Sequence, residues 1–327
     1  MSRYLLGRFG QSLLTLLVMS LLVFGGVYLV GNPVDLLLST TATPAERLNV
    51  IQSFGLDKPV WEQYGLFVVN ALHGDMGNSF IYNQPALHLI FQRMPATLEL
   101  ALVAFILALV IGIPLGVYAG LRPDGWLSKS IMTVSILGFS LPTFWIGLMM
   151  IMLFSVKLGV LPASGRGATV DVFGVPLSLF TADGLAHLVL PAFNLALFKI
   201  SLIIRLTRAG VLECLQQDFI RFARAKGLSE SRIVLVHVLK NTLIPLITVI
   251  GLELGSLIAF AVVTETIYAW PGMGKLIIDS IAVLDRPVIL AYLMITVVMF
   301  SLINLLVDVL YVLVDPRVRL GGRTDGV

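Results

Sequence analysis

The chain has a single cysteine, Cys214, and four histidines among 327 residues. One cysteine excludes a disulfide framework and any cysteine-held metal or cluster site. The histidines, at positions 73, 88, 187 and 237, are too scattered to form a ligand constellation. Charge is equally scarce: only 13% of residues are Asp, Glu, Lys or Arg, against about 25% in soluble domains. Hydrophobic residues make up 57% of the chain and the mean hydropathy is +0.96. That balance excludes a soluble single-domain enzyme and defines a polytopic membrane protein. The net charge of +3 would suit a nucleic-acid partner, but the basic residues lie in loops between long apolar runs, where membrane topology accounts for them.

A phosphate loop is also missing. Gly272-Met273-Gly274-Lys275 is similar to the end of one, but position 269 is Ala where the first Gly belongs, and Leu276 replaces the Ser or Thr that would hold magnesium. The stretch reads as a tight outer turn. The chain is therefore expected to be no ATPase itself, with no catalytic, cofactor-binding or metal-binding residue.

What is present is a series of apolar runs. Phe9 to Val30 follows Arg3 and Arg8, is longer than the core of a signal peptide, and leads to no A-x-A site, so it reads as an uncleaved first span. Residues 31–95 form an outer subdomain with two short helices. One starts at Thr43-Pro44 and runs to about Phe54. The other opens at Lys58-Pro59 and carries Trp61, Tyr64, Phe67 and Val68 on one face for packing or anchoring. Further spans are expected at about 95–121, 130–158, 187–204, 243–263 and 288–314. Glu99 falls in the first turn of the second span, where the helix dipole favours it. Gly112, Pro114 and Gly116 interrupt that span, as they do in spans that bend or pack closely.

Charge asymmetry orients the six spans. With both termini inside, fourteen basic residues fall on the inner side and seven on the outer. The expected domains are the tail and first span (1–30), the outer subdomain (31–95), a membrane core (96–314) with an inner loop at 205–242, and a basic tail (315–327). Lys199 lies near enough to the inner half of its span to snorkel. Asn194 and Glu253 are candidate polar residues of a pathway. Glu253 has two readings, a polar conduit or proton site and a hydrogen-bonded packing residue.

The most concentrated positive charge lies between Asp218 and Pro245. Phe219, Arg221, Phe222, Ala223, Arg224, Ala225, Lys226, Gly227, Leu228 and Arg232 are its candidate functional residues. Asp218 is placed to cap a helix, Gly227 to stop it, and Ser229 to cap a second. A helix with Phe219, Phe222 and Ala223 on one face and Arg221, Arg224 and Lys226 around it suits a partner surface. Small Ala223, Ala225 and Gly227 permit close approach. Lipid attraction alone would not require this capped pair of helices.

Ala223-Arg224-Ala225-Lys226-Gly227-Leu228-Ser229, with Asp218-Phe219 before it and His237, Asn241 and Pro245 after it, resembles the EAA-type loop of ABC importer permeases. The resemblance is nearest to the bacterial branch that takes up peptides and nickel. Phe54 to Tyr64, Gly74 to Ser79, Pro95 to Leu100 and Glu265 to Gly274 are similar to that branch's other segments, and the pattern is that of the "B" partner of a permease pair. One departure stands out: Arg221 occupies the position, six before the glycine, where the general pattern has an acid.

The resemblance implies an all-α type I importer fold and a loop that docks in a groove of a separate cytoplasmic ATPase. It implies as partners a second permease, two ATPases carrying ATP and magnesium, a periplasmic or lipid-anchored solute-binding protein, and the bilayer. Dipeptides or short oligopeptides are the expected cargo, with nickel chelates or glutathione as alternatives. A proton-coupled secondary transporter would instead carry inverted repeats or a series of membrane acids, and neither is evident.

Overall fold

The computed structural model describes residues 2–30, 43–53 and 57–314. The basic tail at 315–327, residues 31–42 and the turn at Gly55-Leu56 lie outside the described residues. The rest is almost entirely helical. In order it comprises α1 (Ser2–Val30), α2 (Pro44–Ser53), α3 (Val60–Leu72), α4 (Ala86–Leu121), α5 (Trp126–Ser140) and α6 (Thr143–Met150), which continues as a π-helix over Ile151–Lys157. A hairpin follows, β1 (Val170–Val172) and β2 (Val175–Leu177). Then come α7 (Ala182–Leu215), α8 (Asp218–Ala225), α9 (Glu230–Arg232), a π-helix over Ile233–Val238, α10 (Leu239–Ile267), α11 (Met273–Ala282) and α12 (Arg286–Val314).

Four stretches within α4, α7, α10 and α12 are long and apolar enough to cross a membrane. The pair Trp126–Ser140 and Thr143–Lys157 adds a fifth if counted as one span, bent by 106°. Helix α1 contributes a shorter apolar stretch, Gly10–Gly26. The span expected at about 130–158 is thus broken within its length. Pro142 supplies no backbone donor, and at Leu141-Pro142 the chain turns extended (ψ 140 and 130) before α6 begins.

The chain divides into two compact units, one of residues 1–97 and 271–301, the other of 98–270 and 302–327. In the first unit, the aromatic face of α3 is split. Tyr64 and Phe67 pack on Phe24 of α1 with ring centroids 5.4 and 5.7 Å away, and the Tyr64 hydroxyl bonds Ser20 Oγ at 2.8 Å. Trp61 stays exposed. The Gly74–Ser79 segment is tied down by buried Asp285, which accepts hydrogen bonds from Ser79 Oγ at 2.5 Å and Phe80 N at 3.1 Å. Helix α4 starts at Ala86, upstream of the expected Pro95. Ala86, Leu89 and Ile90 supply a buried stripe that carries the helix through the proline.

In the second unit, α4 meets α7 along a stripe of small residues. Ala104 and Ala108 are fully buried, and glycines follow at 112, 116 and 120. A methyl group at those glycines would come within 2.8 Å of Ile203, 2.6 Å of Thr207 and 2.7 Å of Val211. Small residues every fourth position let the two backbones approach, so these glycines serve packing. Glu99, displaced from the helix start by the longer α4, is buried instead. Its Oε1 accepts Ser178 N and Leu179 N at 2.7 and 2.8 Å, and its Oε2 accepts Arg166 Nη2 at 2.6 Å. Arg166 also donates to Pro176 O at 2.6 Å. The loop after the bent pair is thereby fixed, and it folds into a two-residue hairpin whose tip, Phe173-Gly174, has φ of 55° and 82°.

Gly116→Val places branched atoms where Thr207 and the Ile204 carbonyl already stand. The expected result is a loss of about 1–3 kcal/mol, seen as a lowered unfolding midpoint in detergent. An unchanged midpoint would show that the stripe does not set the helix spacing.

Candidate functional site

The basic segment is built on one tight turn. Helix α8 begins after Gln217, the N-cap in extended conformation, so Asp218 is its first helical residue rather than its cap. It ends at Lys226, and Gly227 takes φ +77°. Leu228 N then bonds Ala223 O at 3.3 Å and Gly227 N bonds Arg224 O at 2.9 Å. This is the paired closure that a glycine after a helix permits. Ser229 occupies the N-cap of α9 without a side-chain cap bond. From Glu230 the chain runs as one helical path into α10, through a π-helix whose buried residues are Ile233 and Val238.

Burial separates the two faces of α8. Ile220 and Ala223 join Val211, Cys214, Ile233 and Val238 in a buried cluster, with Val117, Leu121, Leu215 and Leu228 packed against it. This corrects the expectation that Ala223 shares a presented face with the phenylalanines; its small side chain serves close approach to the chain's own core. Phe219 and Phe222, three residues apart, are the apolar groups on display, 43% and 61% exposed. Arg221, Arg224, Ala225, Lys226, Gly227 and Arg232 are exposed as well, and Leu228 is half-buried.

The cations have local partners. Arg221 Nη1 lies 3.3 Å from Asp218 Oδ1. Arg224 bridges the turn to Glu230 through Nε at 2.8 Å and Nη2 at 3.3 Å. That pairing holds the Glu230 carboxyl below its ordinary 4.5 and raises the Arg224 guanidinium. The contribution of the pair is complete at neutral pH and is lost only as the pH falls through the depressed Glu230 value. Lys226 Nζ sits 4.5 Å from the Phe222 ring centroid, so the charge and the aromatic form one surface feature.

The two polar candidates within the helices lie elsewhere in the second unit. Asn194 is fully buried on α7 and its Nδ2 reaches Thr264 Oγ1 at 3.5 Å. Lys199 forms a direct ion pair with Glu253 of α10 and donates to Ser256 Oγ at 2.6 Å; Ser256 Oγ in turn donates to Glu253 Oε2 at 2.9 Å. Lys199 is thus buried and paired rather than snorkelling, because the carboxylate opposite offers a nearer partner than the interface. Neither the α7–α10 pairing nor the Glu99–Arg166 latch was read from the sequence. A lysine and a glutamate in adjacent apolar runs were the available signal for the first.

Taken together, these features define a polytopic α-helical protein of the membrane, with the Glu99–Arg166 and Lys199–Glu253 pairs in its interior and a locked basic turn outside the apolar core. The chain belongs to the binding-protein-dependent transport system inner membrane component family, whose model matches residues 112–320, with the N-terminal model of the same group matching residues 1–101. It is 39% identical to a dipeptide transport system permease protein, DppB, of Escherichia coli K12, over 98% of this chain and 99% of that one. A di/tripeptide transport system permease protein of Pseudomonas aeruginosa is also 39% identical, with the same coverage. An oligopeptide transport system permease protein, AppB, of Bacillus subtilis is 41% identical over 88% of this chain and 90% of its own length. The fold is similar to that of the MetNI methionine ABC transporter in an inward-facing form, with a TM-score of 0.54, 20% identity, and coverage of 69% of this chain and 96% of that one. The protein is a permease subunit of a binding-protein-dependent ABC importer, a multi-pass component of the inner membrane.

Because Ala223 is buried and Phe222 is not, their substitutions separate. Ala223→Glu puts a carboxylate among Val211, Ile220 and Ile233 and opens the turn. Trypsin is expected to cut at Arg224 and Lys226 at least tenfold faster, corresponding to about 1.4 kcal/mol or more of lost local stability. Phe222→Ala leaves the cutting rate within about twofold. Equal rates for the two variants would contradict the assignment of faces.

Proposed function

We propose that this permease carries dipeptides or short oligopeptides across the inner membrane as one half of a pathway completed by a second, homologous permease. Six spans with both termini cytoplasmic accommodate the apolar helices and the excess of inner positive charge. Residues 1–30 supply the cytoplasmic tail and first span, 31–95 an outer subdomain, 96–314 the permease core with the inner loop at 205–242, and 315–327 a cytoplasmic tail. ATP and magnesium belong to two cytoplasmic ATPase subunits, and a solute-binding protein delivers cargo from outside.

In this reading α8 is the element on which an ATPase seats. The observation that carries it is the presentation of Phe219 and Phe222 by a helix whose other face is locked into the core and whose end is fixed by Gly227. Two exposed aromatics, with Lys226 against the Phe222 ring and exposed Arg221, Arg224 and Arg232 in the same segment, form an anchor for a groove with an apolar floor and acidic rim. Leu228 and Ala225 complete the turn. Force applied to α8 passes to α7 through Val211 and Cys214, and to α10 through Ile233 and Val238. These two helices also hold Asn194 and the Lys199–Glu253 pair, the proposed polar residues of the pathway. The relatives are dipeptide, di/tripeptide and oligopeptide permease proteins, which supports peptide cargo over nickel chelates or glutathione.

Reconstituted with its partners in vesicles, the complex should take up dipeptide only with ATP and binding protein, and a proton gradient should not replace ATP. Phe219→Ala with Phe222→Ala should lower uptake at least tenfold while the permease pair still inserts and assembles. Uptake driven by the gradient alone would overturn the ATP-driven reading. Normal uptake by the double variant would overturn the role of α8.

A further inference from the structure

The Lys199–Glu253 pair has a feature that packing alone does not use. Lys199 lines a cavity of about 200 Å³, together with Phe139, Phe198, Phe260, Thr143 and Thr264. This cavity lies beside the break at Pro142, which takes Phe139 and Thr143 onto separate helices. An ammonium has three N–H groups. Those of Lys199 serve Glu253 and Ser256, and one donor remains for the cavity. The Phe198 and Phe260 ring centroids lie 5.2 and 5.8 Å from Nζ and help to hold its charge in an apolar wall. Glu253, bound to Lys199 and Ser256, is not among the lining side chains, so the cavity meets the pair through its cationic member.

We propose that this cavity is a carboxylate station on the transport path. The remaining N–H of Lys199 binds the C-terminal carboxylate of a short peptide, while Phe139, Phe198 and Phe260 cover its apolar side chains and Thr143 and Thr264 offer hydroxyls to its amide. The inference rests on the peptide-permease reading and adds the site and the group recognised. A carboxylate entering low dielectric needs a cationic donor, and Lys199 is the cation among the side chains that line this cavity. The volume lies below the roughly 300–1,000 Å³ of sites for drug-sized ligands, so the station takes the terminal part of a peptide rather than an extended chain.

The test uses the assembled transporter in nanodiscs, without binding protein or nucleotide, and three labelled probes: dialanine, its C-terminal amide and N-acetyl-dialanine. Both free acids should bind at least about tenfold more tightly than the amide, the difference made by one charge-assisted hydrogen bond. The paired substitution Lys199→Met with Glu253→Met, which leaves no unpaired buried charge, should reduce that preference to within about twofold. Equal binding of acid and amide by the unaltered complex overturns the proposal, whatever the variants do. So does a preference that survives the paired substitution. ATP-driven dipeptide uptake by the same unaltered complex, with binding protein added, separates the two readings. Uptake without acid preference sinks the station alone, and absence of uptake sinks the peptide-permease reading beneath it.

Discussion

A charge buried among apolar helices is costly unless an opposite charge or hydrogen bonds meet it, and two ion pairs organise the second unit. Glu99 with Arg166 fixes the hairpin loop to α4. Lys199 with Glu253 and Ser256 joins α7 to α10. Removing one member of such a pair strands the other, a cost of about 3–5 kcal/mol when the site is fully buried. One pair therefore favours a single register of α7 against α10 and the other a single seat for the hairpin loop on α4, while the apolar surface around them is far less selective.

Between these fixed points, packing is decided by volume. The stripe of Ala104, Ala108, Gly112, Gly116 and Gly120 brings α4 against Ile203, Thr207 and Val211. Helices in so close a contact move as a unit, since intermediate positions would open voids or force overlap. The lower end of the same assembly receives Ile220 and Ala223 of α8. In the proposed reading, a load placed on the exposed face of α8 reaches helices that are already tied together, as coupling between a motor and a pathway requires.

Much of this was legible in the sequence, for identifiable reasons. Long apolar runs and scarce charge announce membrane helices, and Gly227 after Asp218–Ala225 announces a helix stop because few other residues take that backbone angle. The resemblance of residues 218–245 to a permease loop agrees with the family to which the chain belongs. Burial was less legible. Ala223 reads equally well as a docking residue or a core residue, and only the position of Ile233, ten residues on, decides it. The bend at Pro142 was hidden because proline is tolerated inside membrane helices, and α4 itself carries Pro95 and Pro114 without ending. Ion pairs across 67 or 54 residues leave no local pattern, so Glu99 was read as a helix-dipole residue and Lys199 as a snorkelling one.

The central claim is that the outward face of α8 seats an ATPase. It is tested most directly by placing a cysteine at Phe222, since the native Cys214 is buried and contributes little background. In the assembled complex, Phe222→Cys labelled with a maleimide that carries a short photoreactive group should cross-link to an ATPase subunit, and the unlabelled cysteine should be shielded from a soluble maleimide. Labelling at the same rate with and without the ATPases, and no cross-link to them, would contradict the account.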